Sequence, residues 1–163
     1  MMEFFAALEQ TGPSIFVRES LWAFPALLIA HALGMAFLVG PGLAIDLRVL
    51  GVAKAAPLRL FPRLFPVMQA GFVLALISGA ALLLAYPAKA LTNPVFYLKF
   101  AFLLAAGALT WALARRLMRG GTQEPKPVRV WARSAAAVCI LMWTGAIFAG
   151  RFLAYTHSIL MAH

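Results

Sequence analysis

Residues 27–51 read LLIAHALGMAFLVGPGLAIDLRVLG. The stretch holds more than the roughly 20 predominantly apolar residues needed to cross the hydrocarbon of a bilayer. It also carries His31 near one end and Asp46 near the other. Its apolar length decides the fold class, and its two ionisable residues mark where any chemistry must sit.

Three further segments match it in length and apolarity. The expected membrane helices span about 14–47, 64–85, 94–117 and 128–157, each long enough to cross. Pro25 and Gly40-Pro41-Gly42 are expected to kink the first, and Tyr86-Pro87 to stop the second. Thr92 or Asn93 can cap the third, with Pro94 at its first position. The composition agrees: 64% of the 163 residues are hydrophobic and only 12% charged, where soluble domains carry roughly 25% charged residues. Mean hydropathy is +0.91. The expectation is an all-α integral membrane four-helix bundle forming one domain over the whole chain, with the lipid bilayer as its solvent.

The formal net charge of +9 does not point to nucleic acid. Its residues fall mostly in two short connections, one holding Arg48, Lys54, Arg59 and Arg63, the other Arg115, Arg116, Arg119, Lys126, Arg129 and Arg133. The connection between them in sequence holds only Lys89. The positive-inside rule then puts both basic connections in the cytoplasm and both termini on the periplasmic side. The expected location is a bacterial inner membrane, multi-pass. The first 20 residues have no basic n-region, so no cleavable signal peptide is expected. Cys139 is the single cysteine, which excludes an internal disulfide and any cysteine-based metal cluster. Gly71, Ala75 and Gly79, and Gly145 and Ala149, are spaced by four, as close helix packing in lipid requires.

Intramembrane ionisable groups are costly and belong inside the bundle. Placed by depth at about 1.5 Å per residue, they form two layers. The outer layer contains His31, Ser78, Lys99 and Arg151, one from each helix. Desolvation favours the neutral imidazole, whose free nitrogen can ligate haem iron in a b-type site inside a helix bundle. Lys99 is the second ligand or a propionate partner in this reading, and Arg151 a propionate partner. The inner layer contains Asp46, Gln69, Arg115 and Arg133. Its expected role is structural, with Asp46 set against arginine to fix helix register. No Ser-His-Asp arrangement, phosphate-cradling glycine loop, zinc spacing or carboxylate pair is present in the pattern.

The runs SLWAFPALLIAHALGMAFLVGPGLAIDLRVLG, NPVFYLKFAFLLAAGALTWAL and GAIFAGRFLAY resemble a family of bacterial four-helix membrane proteins that carries a domain of unknown function. The resemblance covers nearly the whole chain and rests on His31, Asp46, Arg48, Lys99 and Arg151. More remotely, the layout is similar to copper resistance D-like membrane proteins and to HemJ-type protoporphyrinogen oxidases. In the latter, a helix-one histidine and a helix-three lysine are implicated in haem binding, and His31 and Lys99 occupy those places. This chain departs from that oxidase pattern after helix one, which reads AIDLRVLG without histidine, and within helix three, where Thr110 and Trp111 stand. Both departures count against protoporphyrinogen oxidation.

The functional expectation is therefore a haem b or porphyrin site in the outer leaflet, serving electron transfer or haem-linked redox chemistry with a redox partner. The alternative is a cofactor-free interaction or assembly subunit, and a second copy of the chain is the other expected partner. A small-solute permease ranks third, because two halves with paired broken helices are not evident.

Overall fold

The computed structural model describes the backbone of residues 2–52, 58–119 and 130–160. Among these residues every regular element is helical. Two short helices, α1 (Met2–Glu9) and α2 (Gly12–Glu19), precede the long α3 (Ala23–Leu50). A 3-10 turn at Leu58–Arg63 leads into α4 (Leu64–Ala85). The short α5 (Pro87–Leu91) then joins α4 to α6 (Pro94–Arg119), and α7 (Val130–Leu160) completes the chain. Four stretches, within α3, the 3-10 turn with α4, α6 and α7, are long and apolar enough to cross a membrane.

The first predicted helix is divided. The chain breaks at residues 20–22, where Ser20 Oγ accepts hydrogen bonds from the backbone N–H of Trp22 and Ala23. Those bonds end α2 and start α3, because a serine side chain competes with the helix for the first free donors. Pro25 then lies in the first turn of α3, where its missing N–H costs nothing. α3 continues as helix through Pro41. It ends at Gly51, whose φ of 87° is the left-handed conformation that glycine adopts freely at a helix end. The Gly51 and Val52 N–H groups there donate to the last free carbonyls, Arg48 O and Leu47 O. α6 starts where Asn93 Oδ1 accepts from the Val95 N–H at 2.9 Å, with Pro94 at the first helical position.

α3 packs against α4, and α6 against α7. The first pair is fastened by small residues: a Cβ on Gly34 would stand 2.5 Å from the Ala75 backbone nitrogen, and one on Gly71 2.7 Å from Leu38 N. Helices can approach this closely only without side chains at the contact, and in lipid such packing is a main source of association. In the second pair Gly145 receives the ring of Phe102. The two pairs meet chiefly where α3 lies on α7.

The fully buried core is small and sits toward the ends joined by the basic connections. Trp143 packs there with Val39, Ala106 and Cys139, and a second cluster joins Ile45, Phe61 and Ala114. Most large apolar side chains face outward, among them Leu28, Ile29, Phe37, Phe72, Leu104 and Phe148. In water that surface would drive aggregation, whereas in a bilayer it is the lipid-facing wall. The opposite end is closed by the short helices. Ser14 Oγ donates to Ala85 O, Phe24 packs edge-on against Tyr86, and Arg18 pairs with Glu9.

Candidate functional site

His31 sits two turns inside the capped end of α3. Its Nδ1 lies 3.0 Å from Ala75 O and 3.3 Å from Ser78 Oγ on α4. A carbonyl can only accept, and the Ser78 hydroxyl gives its own hydrogen to Leu74 O at 2.6 Å. Nδ1 is therefore the protonated nitrogen, which leaves the lone pair on Nε2. Gly79 makes room for the ring, since a Cβ there would stand 3.0 Å from His31 Cε1.

Nε2 faces Lys99 Nζ of α6 at 3.5 Å. The lysine stem passes over Gly150 of α7, where a Cβ would lie 3.5 Å from Lys99 Cε. All four long helices thus meet at one point, and the two helix pairs are bridged by two basic side chains. Among the described residues Lys99 joins no ion pair; Arg18 and Glu9 do.

The structure brings His31, Ser78 and Lys99 together and leaves Arg151 out. Arg151 is exposed, because each helical residue turns about 100° from the last. Its neighbour Gly150 is the residue that faces Lys99. Ala75, whose carbonyl fixes the imidazole tautomer, belongs to the small-residue stripe and carries no polar side-chain signal. His157 lies in α7, but its side chain is outside the described residues.

The second expected layer does not assemble. Asp46 is wholly buried, whereas Gln69, Arg115 and Arg133 are exposed. The Arg115 guanidinium lies 3.8 Å over the Trp111 ring instead, a cation–π contact at the bundle surface. Asp46 faces the Cys139 thiol. Arg133 precedes Cys139 by six residues, roughly 240° around the helix after whole turns are removed, and so points away.

Thr110, Cys139 and Trp143 form a hydrogen-bonded group that reaches Asp46 through Cys139. Trp143 Nε1 donates to Thr110 Oγ1 at 3.2 Å, and Thr110 Oγ1 and Cys139 Sγ are 3.2 Å apart. Gly42 admits this group to α3, because a Cβ there would stand 3.2 Å from Trp143 Nε1.

An apolar groove of about 550 Å³ opens beside the group, lined from α4 by Phe65, Phe72 and Gln69 and from α6 by Thr110 and Trp111. Leu38 and Trp143 also line it. Leu38 follows His31 by seven residues, which places the groove about 10 Å along α3 from the imidazole.

No group of three His, Cys, Asp or Glu side chains among the described residues could hold a bare metal ion. No family model, no curated protein and no solved structure matches the chain.

Proposed function

We propose that this is a small multi-pass protein of a bacterial inner membrane. Its His31–Lys99 centre binds a b-type haem or a related porphyrin, with His31 as the iron ligand. The observation that carries the reading is the imidazole tautomer. Nδ1–H is anchored on a backbone carbonyl and Nε2 is left as the donor, the arrangement typical of metal-ligating histidines. Haem suits a site with so few donors, because the porphyrin supplies four ligands and the protein needs only one or two. When bound, the iron supplies one-electron redox chemistry.

The donors fit this group, and the surroundings set each residue's part. Ala75 O and Ser78 Oγ orient the imidazole. Nε2 and Nζ are 3.5 Å apart, too close for a macrocycle to lie between them. Lys99 therefore acts as a partner for an anionic propionate, turning its flexible stem away from His31 across Gly150. The absence of an acidic partner for Lys99 among the described residues supports this part. The basic connections 48–63 and 115–133 face the cytoplasm, so the centre lies in the outer leaflet with both termini on that side.

A hemin titration of the purified chain in mild detergent tests the assignment. A Soret band should grow to one equivalent with the intact chain. The apparent Kd should rise at least tenfold for His31→Ala and less for Lys99→Ala. Equal binding by all three chains would refute it.

The direct His31–Lys99 contact favours a second reading, a cofactor-free assembly subunit in which the pair locks the two helix pairs together. In that case hemin would bind weakly and without dependence on His31.

A further inference from the structure

Asp46 is the single aspartate of the chain. It is wholly buried, four residues from the end of α3. Neither carboxyl oxygen accepts a hydrogen bond, and among the described residues no cation pairs with it. Cys139 of α7 faces it, and Cys139 is in turn in contact with Thr110 of α6, which accepts from Trp143 of α7. The preceding residue, Ile45, packs in a cluster with apolar Phe61, Leu64 and Phe65. Arg48 follows Asp46 by two residues, about 200° around α3.

The hydrogens of this group can be counted. The Cys139 thiol has one. Two acceptors already stand within reach of it, Thr110 Oγ1 at 3.2 Å and Ala106 O at 3.5 Å. Thr110 Oγ1 itself accepts from Trp143 Nε1. An ionised Asp46 would be a third claimant for one weak donor, and its other lone pairs would be left without a hydrogen bond. A buried carboxylate with so little compensation is strongly disfavoured. A carboxylic acid brings its own hydrogen and turns the sulfur into the acceptor.

We propose that Asp46 is a proton-binding site inside the membrane span. Its carboxylic hydrogen points to Cys139 Sγ, and the Cys139 thiol and Thr110 hydroxyl link it to the apolar groove. Thr110 forms part of the groove wall, its hydroxyl held by the donor-only Trp143 Nε1–H, so a proton held at Asp46 has a route through the Cys139 thiol and the Thr110 hydroxyl toward any molecule seated there. The proposal is independent of haem binding at His31.

Infrared spectroscopy of the full chain in lipid nanodiscs at neutral pH tests it. The wild type should show a protonated-carboxyl C=O band that is absent from Asp46→Asn. The band should move to higher frequency in Cys139→Ala, where the sulfur acceptor is gone. Labelling the wild type with ¹³C-carboxyl aspartate should shift the same band, which gives an assignment even where a variant fails to fold. A label-sensitive carboxylate stretch in place of the acid band would overturn the proposal. So would an acid band that the label leaves unmoved.

Discussion

The two buried polar centres differ in the sign of what they lack. The His31–Ser78–Lys99 centre holds two bases and no acid, whereas the Asp46–Cys139–Thr110–Trp143 centre holds an acid and no base. His31 and Asp46 are 15 residues apart on α3, about 22 Å along the helix, too far to neutralise one another directly. A chain selected only for packing would bring such groups together or replace them with apolar ones, because unpaired intramembrane charge is costly. Their separation therefore argues that each centre is completed by something other than the opposite centre. In the readings proposed above, an anionic ligand completes the first and a proton the second.

They differ also in packing. The Asp46 centre lies within the buried core, with Thr110, Cys139 and Trp143 all buried. The His31 centre is part-buried and flanked by Gly79 and Gly150. Stability should thus reside in one half and ligand exchange in the other. Trp143→Ala should be the most damaging change, costing about 3–5 kcal/mol, read as a fall in the thermal midpoint in detergent. A cost below about 1 kcal/mol, the scale of a single hydrogen bond, would show that this half is not the stable one.

Gly34→Ala comes next. Its methyl meets the Ala75 backbone at 2.5 Å, so α3 and α4 must part at a cost of about 1–3 kcal/mol. His31→Ala should cost about 1 kcal/mol or less, since interhelical hydrogen bonds in membranes are individually weak. A loss as large as that of Trp143→Ala would make His31 a structural lock and sharpen the case for the assembly reading. Arg151→Ala should stay within about 0.5 kcal/mol of wild type, as exposed positions away from special features do. A larger effect would show that Arg151 belongs to the centre after all.

The sequence carries these features unevenly. Four apolar runs of spanning length are legible because the bilayer sets their length and forbids unpaired backbone. Depth along each run was enough to group His31, Ser78 and Lys99. Depth carries no azimuth, however, and a single residue of helical rotation separates Gly150, which faces Lys99, from exposed Arg151. The same limit explains the second layer, where Arg115 follows buried Ala114 and lands on the surface. The Thr110–Cys139 contact depends on how α6 and α7 are registered across 29 residues of sequence, which no local pattern encodes. Thr110 shares a face of α6 with Lys99, and Cys139 and Trp143 are four residues apart on α7, but neither spacing gives the pairing.

The most direct test of the His31 assignment is the haem content of the protein purified in mild detergent from haem-replete cells, measured as a pyridine haemochrome for wild type and His31→Ala. Close to one haem b per wild-type chain and almost none in the variant is the expected result. No haem in the wild type, or the same amount in both, would contradict it.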